Sequence, residues 1–324
     1  RAALGLAWML VLLGSGPARP EEGPRLDVAF LLDATGSMGD EIDAVKERIR
    51  EMIAQIAAGE PTPDVRFGIV AYRDRGDEYV TRLYPLTRDI DRIVANLDEI
   101  HADGGGDTPE SLNEALHVVL HDLEWDAGPQ ASRLVFVIAD APPHLDYPDD
   151  FDYVEESQMA LELGITVHTI GASGLDPDGE RILQEIAQIS GGQFQWLAYQ
   201  SRYTDEDGEE VVVVVEGRTA TYTKGDSTWT AEDGGAGMWA GGGGRGGVLT
   251  MDGAPEAALG AGVEGGVAPA GGPASPVQTS TNLADLITAR VREAAEARGV
   301  DYEAAGTTTA LRSASWAQVK RRAP

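Results

Sequence analysis

Short, almost wholly apolar runs that end in an aspartate constrain this chain more than any other feature. Asp27 to Asp33 (DVAFLLD) and Leu134 to Ala139 (LVFVIA, followed by Asp140) lack the polar alternation of a half-exposed strand. They read as strands buried on both faces, which is the habit of parallel sheets. Between such runs lie helical stretches. From about Gly39 to Ala58, Ile42, Val45, Ile49, Met52, Ile53 and Ile56 recur every three or four residues with charges between them. Val65 to Tyr72 and Tyr79 to Leu86 read as two further strands joined through Arg73-Asp74-Arg75-Gly76-Asp77, in the manner of a hairpin. Residues 89–100 are expected to be helical, and Gly104, Gly105 and Gly106 break the chain. A helix is expected to open at Thr108-Pro109, with proline at its first position. Beyond the fourth strand come a helix at 153–163, a strand at 165–170, a helix at 178–190 and a strand at 193–197. Such alternation predicts an α/β fold with a mostly parallel sheet covered on both faces.

The flanks differ. Ala2 to Gly14 is apolar, follows Arg1 and precedes the small residues Ser15, Gly16, Pro17 and Ala18. It is shorter than the roughly 20 residues a membrane span needs. Residues 1–24 therefore read as a secretory signal, with an N-terminal anchor helix as the alternative. This places the rest on the non-cytoplasmic side: secreted, periplasmic or at the cell surface. Residues 199–232 are expected to form a β-hairpin extension, Val211 to Val215 pairing with Thr219 to Thr223. Residues 233–275 are Gly/Ala/Pro-rich, a composition that cannot bury enough apolar surface to fold alone. Residues 280–300 hold a helix with Leu283, Leu286, Ile287 and Val291 on one side, expected to dock on the main domain. Residues 301–324 form a short basic tail.

Three segments bring oxygen-bearing side chains to the carboxyl ends of strands, where open α/β sheets bind ligands. The first is Asp33-Ala34-Thr35-Gly36-Ser37, the second Asp107-Thr108-Pro109-Glu110, and the third Asp140. Hydroxyls at Thr35 and Ser37, a carboxylate two residues earlier, and a distant Thr108 and Asp140 make an all-oxygen set. That suits a hard divalent cation. Taken singly, each segment is equally a turn with capping hydroxyls, and Thr108 before Pro109 is a good N-cap.

Together, the wording ATGSMGDEI, GGGDTPESLNEAL and VIADAPPH over about residues 26–198 resembles the von Willebrand factor type A (vWA) domain and its metal-ion-dependent adhesion site, or MIDAS. It is similar to secreted bacterial members and to the subgroup joined to alpha-kinases or hemicentin-type matrix proteins. The resemblance implies a three-layer, doubly wound, Rossmann-like sheet over residues 26–198, mostly parallel with one antiparallel edge strand, followed by a largely flexible C-terminal extension. It also implies that Thr35, Ser37 and Thr108 hold the metal directly, that Asp33 and Asp140 act through metal-bound water, and that a partner's Glu or Asp completes the shell. Mg2+ is the expected ion, with Ca2+ or Mn2+ as alternatives. Thr35 stands where serine is usual, and Asp107 and Glu110 add acid around the site.

Other chemistry is disfavoured. The chain has no cysteine, so thiolate ligands, thiol nucleophiles and disulfides are excluded. Ser37 lies in no G-x-S-x-G elbow, Gly36 to Gly39 lack the lysine of a phosphate loop, and Thr35 replaces the second acid of an aspartate-nucleophile phosphatase. His117 and His121 stand at i and i+4 without an adjoining glutamate and are expected to be solvated, on the face opposite the stripe of Leu112, Leu116, Val119 and Leu123. His144 lies close enough to Asp140 to touch a ligand, although loop histidines usually do not, and His168 reads as a core residue. No enzyme is expected.

The expected function is an exported, metal-dependent protein-binding module. The alternative is a structural or regulatory domain whose cation only stabilises the fold. The net charge of −29 disfavours nucleic acid and anionic membranes as partners. Asp140 to Glu156 holds seven acids and no Lys or Arg. A rim so charged favours a protein ligand that offers its one carboxylate from a neutral or basic surround.

Overall fold

The computed structural model describes residues 24–106, 108–172, 174–204, 208–232 and 277–302. The expected signal segment, the Gly/Ala/Pro-rich stretch, the basic tail and Asp107 lie outside them, apart from Pro24 and the two tail residues Asp301 and Tyr302.

Strand β1 (Arg25–Asp33) is followed by a 3-10 turn at Gly36–Met38 and helix α1 (Gly39–Ile56). Then come β2 (Asp64–Tyr72), β3 (Thr81–Thr87), α2 (Ile90–Glu99), α3 (Leu112–His121) and β4 (Ala131–Ala139). Next are α4 (Tyr153–Glu162), β5 (Ile165–Gly171), α5 (Pro177–Ile189) and β6 (Phe194–Trp196). The six strands lie in the order β3-β2-β1-β4-β5-β6. All neighbours are parallel except β2 and the edge strand β3. The apolar runs behave as their patterns demand, since β1 is buried on both faces from Leu26 to Asp33. Phe30 stacks beside Phe67 and Phe136 on one face, over Ile49, Met52, Ile53 and Ile56 of α1. On the other face Ala29, Leu31, Val135 and Val137 meet α3, α4 and α5 through Leu116, Val119, Ala160, Leu183 and Ile186.

Local chemistry sets the helix starts. Asp89, Asp152 and Asp176 each accept backbone N–H bonds from the first turns of α2, α4 and α5. Helix α3 departs from expectation. It begins at Leu112, not at Thr108-Pro109, and that peptide bond is cis. Tertiary pairing takes the backbone groups a helix would have used: Glu110 N donates to Pro142 O, His144 N to Glu110 O, and Ser111 N to Arg73 O.

A second, antiparallel sheet follows in the order β10-β9-β8-β7-β11. Its strands are β7 (Ala198–Thr204), β8 (Glu210–Glu216), β9 (Thr219–Lys224), β10 (Ser227–Glu232) and β11 (Val277–Thr281). The β8–β9 hairpin is the one that residues 211–223 suggest, and Val211, Val213 and Val215 point inward by strict alternation. Helix α6 (Leu283–Glu296) buries Leu283, Ile287, Val291 and Ala295 in the same apolar cluster as Phe30 and α1. Asn282 fixes its entry by accepting from Ala198 N and donating to Trp196 O. Among the described residues no helix is long and apolar enough to cross a membrane.

Candidate metal centre

The strand order reverses between β1 and β4, and the side chains that end these strands face one crevice. Asp33 is fully buried. Its Oδ1 accepts from Thr35 N at 3.0 Å and from Thr35 Oγ1 at 2.7 Å, and its Oδ2 from the Tyr72 hydroxyl at 3.4 Å. Thr35 Oγ1 lies 3.1 Å from Ser37 Oγ, which donates to Asp140 Oδ1 at 3.2 Å. Four of the five residues expected from sequence thus form one continuous hydrogen-bonded chain. Thr108 is exposed and bonds to none of the other four. It lies on the same edge, because Glu110, two residues on, is tied to Pro142, two residues past Asp140.

Two glycines let these segments approach. A Cβ on Gly36 would lie 2.9 Å from Gly104 O, the carbonyl that accepts the Gly36 N–H. Gly105 has φ +64°, and a Cβ there would meet Glu110 Oε1 and the Thr35 side chain.

The electrostatics around the crevice are strained by carboxylates. Burial pushes Asp33 up to about 6 despite the bonds from Thr35. Glu110 is pushed up to about 9, first by burial and then by the charges of Asp33, Asp74, Asp140 and Asp77. Its Oε2 is buried with no hydrogen-bond partner. Sequence reasoning noted Glu110 but missed Asp74, which is buried and accepts from Ser111 Oγ at 2.9 Å. Asp77 was missed as well; its Oδ2 accepts from Asp74 N and Gly105 N. Their signal was the acid-rich turn after β2, which looked only like a hairpin connection.

The donor set fits a hard cation. Oxygens on adjacent corners of an octahedron with bonds of about 2.1 Å stand about 3.0 Å apart. The two hydroxyl oxygens expected to bind directly, Thr35 Oγ1 and Ser37 Oγ, stand 3.1 Å apart. Both hydroxyl protons are directed at carboxylates, which leaves lone pairs of Thr35 Oγ1 and Ser37 Oγ for an ion. A cation in the crevice would favour the ionised form of Glu110, which burial and the neighbouring acids now oppose.

Apart from His168, which lies in the core as expected, the histidines make contacts that the sequence does not show. His117 and His121 are not simply solvated, because Glu156 of α4 reaches both, at 3.0 and 3.5 Å. His144 is buried, with its ring nitrogens toward Asp146 and Asp74. His168 is in the core of β5, where Nδ1 accepts from Gln193 N. The acid-rich segment is also less bare than its sequence implies, since Arg75 pairs with Asp149 and Asp150.

Fold and crevice together define a doubly wound α/β domain with an oxygen-rich site at its switch point. The family model for the von Willebrand factor A domain matches residues 27–198, and the chain belongs to that family. Over 120 residues it is 38% identical to von Willebrand factor A domain-containing protein 7 of Homo sapiens, a match covering 37% of this chain and 12% of that protein. It is 31% identical over 121 residues to the alpha-protein kinase vwkA of Dictyostelium discoideum, covering 37% and 19%. Hemicentin-1 of Mus musculus is 26% identical over 178 residues, covering 54% and 3%. The chain thus spans under a fifth of the length of each of these relatives. Among solved structures, the SpRpn10 VWA domain matches with a TM-score of 0.41 at 12% identity, covering 52% of this chain and 86% of that one. Proximal thread matrix protein 1 from the mussel byssus, solved with a zinc-occupied MIDAS motif, gives 0.41 at 15% identity, covering 54% and 42%.

Proposed function

We propose that residues 27–198 act as a divalent-cation-dependent protein-binding module, in which a partner's carboxylate completes the coordination of an ion at the β1/β4 crevice. The observation that carries this is the chain Asp33–Thr35–Ser37–Asp140, in which the two hydroxyl oxygens stand 3.1 Å apart, near the spacing of adjacent octahedral ligands. Thr35, Ser37 and Thr108 would hold the ion directly, with Asp33 and Asp140 acting through water. Mg2+ suits the donors best, and Ca2+ or Mn2+ is the alternative. When bound, the ion supplies a charge-assisted anchor for an incoming Glu or Asp. The chain's own residues do the rest: buried Asp33 orients Thr35, and Asp140 orients Ser37.

The partner is a protein whose carboxylate comes from a neutral or basic surround, because the acids Asp146, Asp152 and Glu155 would repel a more acidic one. Neither nucleic acid nor an anionic membrane suits this charge, and direct membrane contact is reserved for an N-terminal anchor. Placement outside the cytoplasm, by secretion, in a periplasm or at a cell surface, rests on residues 1–24 reading as a signal or anchor. No catalytic role is proposed.

A second reading has its own support. The buried acids Asp33, Asp74, Glu110 and Asp140 would be relieved by a cation even without a partner, so the ion would serve only stability. Melting with Mg2+, Mn2+ or Ca2+, combined with partner capture with and without chelator, separates the two. The binding reading predicts capture lost in chelator and in Asp33→Ala and Thr108→Ala. Capture that survives in those variants, with the melting shift lost, leaves the stability reading.

A further inference from the structure

Helices α3 and α4 pack side by side on the opposite face of the sheet from α1, and between them lies a second cluster of metal-ligating groups. His117 and His121 are one turn apart on α3. Glu156 comes from the first turns of α4, where Asp152 caps the helix and Glu156 N donates to Asp152 O. His117 Nδ1 is 3.0 Å from Glu156 Oε1, and His121 Nε2 is 3.5 Å from Glu156 Oε2. One ligand atom from each of the three residues falls within 4.8 Å of the others. Glu156 is 8% exposed, yet its Oε2 has no hydrogen-bond partner among the described residues.

We propose that His117, His121 and Glu156 bind a transition-metal dication of the Zn2+ type, separately from the β1/β4 crevice. Ligands about 2.0–2.1 Å from a tetrahedral Zn2+ stand roughly 3.3–3.4 Å apart. The two imidazoles lie 3.0 and 3.5 Å from one carboxylate, each from a different oxygen, so small side-chain rotations would bring one atom of each residue to an ion. The donor set differs in kind from the crevice: two imidazoles and one carboxylate select Zn2+, Co2+ or Ni2+ over Mg2+. Phe151 stacks on His117 at 3.7 Å between ring centres and shields one side. His121 is about one-third exposed, so the fourth position opens to solvent. The ion would clip α3, which follows the Thr108 loop, to α4, which follows the Asp140–Asp152 segment. It would therefore brace both loops that border the crevice.

The test is Co2+ titration of the full chain in excess Mg2+, read by the visible bands of four-coordinate cobalt. One equivalent is expected to produce them, and Zn2+ to abolish them by displacement. His121→Ala, a half-exposed position, is expected to weaken Co2+ binding by more than the about 10–100-fold that loss of an outer-shell partner costs. Glu156→Gln should weaken it similarly, while Ser37→Ala should keep the bands. If His117→Ala fails to fold, His121→Ala decides. Absence of the bands, their survival in His121→Ala, or their loss in Ser37→Ala would each overturn the proposal.

Discussion

Gly36 and Asp33 carry the sharpest predictions at the scale of single residues. A methyl group at Gly36 would press on the backbone carbonyl of Gly104, which cannot swing aside as a side chain can. Gly36→Ala is expected to cost about 1–3 kcal/mol in chemical denaturation, in the range of overpacked sites, and to weaken Mg2+ binding. Asp33→Asn should separate stability from function. The amide keeps an oxygen for Thr35 and offers an N–H to Tyr72, while it removes a buried charge that burial penalises. In chelator the variant should therefore be more stable, by roughly 1–3 kcal/mol. It should also lose the Mg2+-dependent rise in melting temperature. At this scale the sequence was informative wherever one short segment held the whole feature. Asp33, Thr35 and Ser37 lie within five residues, and their spacing alone implied convergence. The link between His117, His121 and Glu156 was not legible, because the face of α3 can be read from its own periodicity but the glutamate that meets it comes from another element.

Among the elements, β1, β2 and β4 were readable because strands buried on both faces leave no choice of pattern. The start of α3 was misread because Thr108-Pro109 is a respectable helix opening locally, and only pairing with Pro142 and Arg73 delays it. Strands β7, β10 and β11 were missed for a related reason. They are rich in Thr, Ser and Gln, and β11 meets β7 only across the long Gly-rich stretch. Helix α6 shows that this distant chain completes the core: Ile287 is fully buried against the cluster of α1 and β1. Ile287→Ala is expected to destabilise the protein by about 2–5 kcal/mol, measured by denaturant unfolding. Strand β5 adds a pH-dependent element. Burial, with a smaller contribution from Arg290, lowers His168 from 6.5 to about 4. The unfolded chain then takes up the proton first as pH falls, so this contribution is present above about 6.5 and lost progressively toward about 4. His168→Asn, which keeps an acceptor for Gln193 N, should flatten that part of the stability profile between those two pH values.

Across the whole molecule, the negative charge that first served to exclude partners acquires a position. Of the 54 Asp and Glu residues, those that matter most are buried around one crevice, where the charges of Asp33, Asp74 and Asp140 add to burial in raising the proton affinity of Glu110. A chain of net charge −29 should draw a cation to that crevice, and added monovalent salt should weaken the attraction. The overall order of strands and helices was legible because each element carries its own period. Of the second sheet only the β8–β9 hairpin was legible, and of the carboxylate cluster only Asp33, Glu110 and Asp140, since β7, β10, β11 and Asp74 take their places only in the folded chain. The central claim is that the crevice holds a divalent cation through Thr35 and Ser37. Isothermal titration of Mg2+ into the full chain and into Ser37→Ala tests it most directly, because Ser37 is exposed and its loss should leave the fold intact. The account predicts saturable binding to the parent protein and loss of that binding in the variant. Equal binding by both, or none by the parent protein, would contradict it.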